Sequence, residues 1–180
     1  MFSAVGEAEA PASFVQRDPV MMVFGLAATR KRSYQALATT GNLLGILGIQ
    51  EILDVGAEFD PPREVNGIRV NRMGILPADE MHAVLSKVQF GFVHHPLDVA
   101  GKSSVFAAYC AHGVVPIVAE RFPKEADGLM DGVHVVSRRT AQDARHAGWE
   151  ACSRAAWNWY VGHRLQVHAE RYARWIRELQ

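Results

Sequence analysis

Gly101-Lys102-Ser103-Ser104 stands between an apolar run, Phe90 to His94, and a helix-like segment closed by Gly113. A strand that feeds a Gly-Lys-Ser turn at a helix start presents backbone N–H groups and one ammonium at the positive end of a helix dipole. Such an arrangement can hold a phosphate. It departs from the P-loop pattern, because the GxxxxGK(S/T) spacing puts Pro96 where the first glycine belongs, and proline has no N–H to donate. No Walker-B carboxylate is obvious. Two readings stay open: a helix N-cap with a solvated lysine, and an anion site. A second group of cations, Arg30-Lys31-Arg32, follows the first apolar strand and is either a solvated turn or a phosphate contact. His95, at a strand's carboxyl end, lines a pocket or bonds loop backbone. His94, His95 and Asp98 suggest a metal, but adjacent strand residues point to opposite faces. His163 and His168, five apart, miss the i, i+4 face. No metal site is expected. Asp127, beside Gly128, is either a ribose or loop contact or a turn-stabilising aspartate.

These groups need a scaffold, and the chain's rhythm predicts one. Val20–Phe24, Glu51–Val55, Ile68–Leu76, Phe90–His94 and Val114–Ala119 read as short strands, with Val133–Val136 a sixth. Helices are predicted from Ser33, as cap, to about Leu47, from Pro77 to about Val88, and from about Ser103 to His112. A turn is expected at Asn66-Gly67. Alternation of this kind means right-handed crossovers and an α/β, Rossmann-like parallel sheet with helices on both faces. Ligands on such sheets bind beyond the carboxyl ends of the strands, here Gly25 to Lys31, Gly56 to Phe59, Leu76 to Asp79, His95 to Ser104 and Glu120 to Lys124. Residues 1–16 read as a leader or linker, 17–139 as the sheet domain, and 140–180 as a helical C-terminal appendage. The aromatic pattern of that appendage, from Trp149 to Trp175, reads as packing or as an interface.

Composition limits the partners. Lys+Arg and Asp+Glu are equal at 19 each in 180 residues, so no net field draws nucleic acid or anionic lipid. No apolar run reaches the roughly 18 residues of a spanning helix, so no transmembrane segment is expected. The first residues carry no basic stretch of a signal peptide. Cys110 and Cys152 lack CxxC spacing and read as buried thiols of a cytoplasmic protein.

From Arg17 to Val136 the signals resemble, in order, the C-terminal, nucleotide-sugar-binding half of a GT-B glycosyltransferase of the family 4 type. The cues are VMMVFG with its basic turn, ILDVG, the segment from Ile68 to Pro96, GKSSVFAAYCAHGVVPIVAE, and DGLMDG. The resemblance implies transfer of a hexosyl group from a nucleotide-diphosphate sugar, with retention and with neither a cofactor nor an obligatory metal. It implies that Arg30, Lys31, Lys102, Ser103 and Ser104 hold the diphosphate, that Gly101 keeps its loop position, and that Asp127 is the acidic residue before the Asp-Gly. Two glutamates of the family fall on Ala100 and Ala108, counting back from Gly113; on this reading Ala108→Glu should strengthen nucleotide binding. Acceptor contacts come from a first half with no counterpart here, so the chain is expected to be inactive without an N-terminal acceptor domain or partner chain. The rival readings are a non-catalytic binding or assembly module that keeps the fold, and a phosphate-binding enzyme of another doubly wound family.

Overall fold

A computed structural model describes residues 3, 5–95, 97–119 and 125–178. After a 3-10 turn at Phe14–Gln16, the chain forms β1 (Asp18–Phe24), α1 (Ala27–Ala38), α2 (Leu43–Leu47), β2 (Glu51–Val55), β3 (Glu64–Val65) and β4 (Ile68–Gly74). It continues through α3 (Ala78–Leu85), β5 (Val88–Val93), α4 (Leu97–Ala100), α5 (Ser104–Ala111) and β6 (Val115–Val118). A hairpin, β7 (Glu125–Ala126) and β8 (Leu129–Met130), precedes α6 (Ala141–Ala147), α7 (Trp149–Gly162) and α8 (Leu165–Glu178).

The main sheet has the order β3-β4-β2-β1-β5-β6. All its pairings are parallel except β3 with β4, which closes antiparallel around the expected Asn66-Gly67 turn. The predicted sixth strand is therefore displaced. Val136 makes only an isolated bridge to Ile117, and the sixth strand is the two-residue β3 at the opposite edge. From β1 the chain first builds outward to β2 and β4, then returns to place β5 on β1's other side. The order reverses between β1 and β5.

Alternation along the strands sends side chains to two cores. Met21, Val23, Phe90 and Phe92 pack with Tyr34, Leu37, Leu44 and Ala144 from α1, α2 and α6. Met22 and Val93 pack on the opposite face with Leu85, Phe106, Tyr109 and Trp159 from α3, α5 and α7. Gly91 is required there, since a Cβ would meet the Tyr109 ring at under 3.0 Å. Tyr109 lies over it and donates its hydroxyl to Met22 O at 2.8 Å, which seats α5 against β1 and β5.

Local departures have local causes. The first helix starts at Ala27, six residues before Ser33, and breaks at Thr39–Gly41, where Gly41 takes a φ of 60°. α2 resumes after that break and stops at Gly48, in the left-handed region. A single helical turn, α4, occupies what reads in sequence as a loop. The segment ahead of β1, expected as a leader or linker, lies against the body. The Ala8 N–H donates to Ala111 O, Glu7 reaches the Tyr160 hydroxyl and Arg164, and Phe14 sits edge-on to Phe90. In the last 40 residues, Trp149, Trp159 and Tyr160 pack as expected. On α8 nothing is buried, and Tyr172, Trp175 and Ile176 are exposed. Among the described residues, no helix is long and apolar enough to cross a membrane.

Candidate functional site

At the point where the strand order reverses, a cleft of about 380 Å³ opens beyond the carboxyl ends of β1 and β5. Open α/β sheets form their ligand crevices at this kind of place. The floor is Phe24, Gly25 and Leu26 at the end of β1, with Thr29 from the first turn of α1. The other wall is His95, just past β5, and Lys102, Ser103, Ser104 and Val105 at the start of α5.

The α4–α5 corner sets the wall. Lys102 and Ser103 donate their N–H groups back to Val99 O and Ala100 O, at 3.0 and 2.9 Å. Ser103 is the N-cap of α5, its hydroxyl accepting from the Phe106 N–H at 3.3 Å. The first-turn N–H groups of Ser104 and Val105 have no intrahelical acceptor and point out of the helix start. Lys102 is exposed beside them. The donors that this corner leaves open beside the cleft are thus the N–H groups of Ser104 and Val105 and the Lys102 ammonium. The Ser103 N–H, expected among them, is committed to α4. Gly101 lies in the turn joining the two helices and does not line the cleft.

The cations after β1 separate according to helical phase. Arg30 is fully buried. It pairs with Asp54 at the end of β2, donates to Ala57 O and, at 3.2 Å, to Gly25 O, and lies over the Phe59 ring at 5.3 Å. Gly56 makes room for this group: its φ is 145°, and a Cβ would come within 2.8 Å of Arg30 Nε. Arg30 is a structural cation, which corrects the expectation that it meets a diphosphate. Lys31 is exposed and does not line the cleft. Arg32, the third cation of the triplet, lies near enough to the His94–His95 pair that its charge lowers the pKa of both rings.

His94 and His95 both sit past the end of β5, so the opposite-face argument does not apply to them. Their rings pack at 4.3 Å and 40°. His94 Nδ1 contacts the Ser33 hydroxyl at 3.3 Å. Burial, then His95 and Arg32, push His94 down to about 4, so it is neutral near pH 7. Among the described residues, no cluster of three ligating side chains is placed to hold a metal ion.

The remaining candidates lie elsewhere. Asp127 takes a φ of 53° in the β7–β8 turn, and its carbonyl accepts from Trp159 Nε1 at 2.8 Å; its side chain is not part of the cleft lining. Asp131 instead fastens the next loop, accepting from the Ser137 N–H and hydroxyl and from Thr140 Oγ1 at 2.9, 2.7 and 2.6 Å. Ala100 and Ala108 are buried in the α5-side core. No carboxylate lines the cleft among the described residues. Pro96 and the segment from Glu120 to Lys124 lie outside the described residues.

Sequence comparison is silent: no protein-family model and no curated protein matches the chain. Solved structures do match. The pneumococcal O-GlcNAc transferase GtfA, crystallised with UDP and GlcNAc, aligns with 99% of this chain at TM-score 0.57 and 10% identity. An alpha-glucosyltransferase in complex with UDP aligns with 92% at TM-score 0.57 and 10% identity. The GtfA/B complex aligns with 97% at TM-score 0.56 and 11% identity. The fold is that of the GT-B glycosyltransferases. The chain spans 39%, 53% and 38% of those three chains, respectively, so the likeness concerns one part of their architecture.

Proposed function

We propose that this chain is the C-terminal, donor-binding half of a GT-B glycosyltransferase of the family 4-like kind. Its ligand would be a nucleotide-diphosphate sugar. The observation that carries the reading is the cleft at the β1–β5 reversal, which joins a helix N-terminus, Lys102 and His95 in a fold shared with transferases crystallised with UDP. Residues 17–139 would form the donor domain and 140–180 its helical appendage. Lys102 and the first-turn N–H groups of α5 would hold the diphosphate and stabilise the charge that develops on it as the sugar leaves. Acceptor contacts would come from an N-terminal domain or a partner chain; one of the structures that share the fold, GtfA/B, is a complex. The exposed face of α8 offers such a half an apolar surface. Buried free thiols at Cys110 and Cys152 support a reducing, cytoplasmic setting.

A second reading has its own support. Both family glutamate positions are alanines sealed in the core, and the described cleft carries no acid. A binding or assembly module that has lost its acidic donor contacts fits these facts. Calorimetric titration with UDP, GDP and ADP separates the two. Saturable binding that perturbs the amides of Ser104 and Val105 supports the donor-site reading; no binding to any of the three favours the module. Transfer from a labelled sugar nucleotide by the purified chain alone would refute the claim that it is a half-enzyme.

A further inference from the structure

His95 lines the cleft beside Lys102, Ser103 and Ser104 and is partly open to solvent. Its ring rests against His94, and His94 is tied to α1 through the Ser33 hydroxyl, so His95 is backed by a fixed surface. Among the described residues, the charged groups that share the cleft lining with it or act on its titration are of one sign: Arg32 from α1 and Lys102 from the α5 start. Asp98, the acid nearest in sequence, is exposed on α4. With no anion bound, these surroundings favour the neutral ring. Burial first, and Arg32 second, hold His95 below its ordinary pKa. An anion in the cleft supplies the missing counter-charge, and the same position then favours imidazolium with two N–H donors.

We propose that His95 is the proton-coupled contact of this cleft, meeting a diphosphate oxygen as imidazolium and taking its proton from solvent as the ligand enters. The inference rests on the donor-site reading and adds regulation to it: acid strengthens binding. The ligand class is a diphosphate ester, whose charge is concentrated where the ring can reach it. His94 is not the coupled group, because its pKa near 4 keeps it neutral over the relevant range.

UDP-glucose is the suitable probe, since its doubly esterified diphosphate exchanges no proton between about pH 5 and 8, the window in which histidine titrates. Titrations in buffers of different ionisation enthalpy measure proton uptake directly. For the parent protein, affinity should rise about three- to tenfold from about pH 7.5 to 5.5, with net proton uptake, as a pKa raised by up to one unit requires. NMR of the parent should show the His95 ring titrating at higher pH with UDP-glucose bound than without it. In His95→Gln, affinity should not vary with pH. Binding without proton uptake, or pH dependence that survives in His95→Gln, overturns this inference and leaves the donor site standing. Failure of UDP-glucose to bind at any pH overturns both.

Discussion

On the β2 side of β1's carboxyl end, a cation is buried; on the β5 side, cations stand in solvent. Arg30 fills the first place with its hydrogen bonds met by Asp54, Ala57 and Gly25. Lys102 and Arg32 occupy the second, beside an open cleft. Both regions lie where open α/β sheets bind ligands, and both carry the residue types that bind phosphate. The difference is burial. A guanidinium sealed from water and already paired has no capacity for a ligand, while an exposed ammonium beside unpaired N–H groups does. The sheet thus uses its β2 side to hold two strand ends together and leaves its β5 side open to solvent.

The largest expected effect breaks the sealed side. Asp54→Ala strands a buried guanidinium and should destabilise the fold by about 3–5 kcal/mol, read as a fall in the urea midpoint. Replacing both partners with apolar residues of similar volume should recover much of that loss. A midpoint unchanged in Asp54→Ala would mean that the pair is not sealed. Ala108→Glu comes next. Its Cβ faces the packed α5-side core, so a carboxylate there should cost about 2–4 kcal/mol or more and bring no gain in nucleotide affinity. Tighter UDP binding by this variant would restore the expectation drawn from the family resemblance and require a different α5 orientation.

Lys102→Ala probes the open side and should leave stability nearly unchanged. It should weaken UDP binding about two- to twentyfold, the range of one charge contact at a helix start, with a smaller difference at high salt. An unaltered affinity would remove Lys102 from the site. The smallest effect lies far from the cleft. Glu150 accepts from the Phe14 N–H at 2.6 Å and from the Ser13 hydroxyl at 2.9 Å, and the first of these contacts leads in lowering its pKa. A lowered pKa means that the contribution is present above the unfolded value and disappears as pH falls through the folded one. The stability difference between parent and Glu150→Gln should therefore be flat above about pH 5 and shrink toward about pH 3, by thermal melts.

The comparison also explains what could be read in advance. Strand alternation, the Asn66-Gly67 turn, the Ser103 cap and the fold class follow from local patterns, and all appear in the structure. The helix start did not follow, because Ser33 is a good cap by type while the true N-cap, Leu26, makes no side-chain bond. Starting the helix at Ala27 changes the meaning of the basic triplet. Arg30, Ser33, Tyr34 and Leu37 then fall at i, i+3, i+4 and i+7, the spacing of a buried face, and all four are buried. The charge of Arg30 hid that periodicity. Asp54, its partner, sat in an apolar strand 24 residues away, a pairing no local pattern encodes. The His94–His95 packing was missed because β5 ends one residue earlier than its apolar run suggests.

The segment ahead of β1 has a consequence for how the molecule is made. Two of its anchors are distant in sequence: the Ser3 N–H meets the Tyr160 hydroxyl across 157 residues, and the Phe14 N–H meets Glu150 across 136. A ribosome delivers those partners after the strands of the main sheet. Until α7 emerges, this segment has only its contacts to β5 and α5, among them Phe14 against Phe90 and the Ala8 N–H on Ala111 O. Non-local closure of this kind comes late because its loop entropy is opposed by few contacts until the end. The nascent chain can form the cleft, whose lining ends at Val105 among the described residues, well before these long-range contacts close.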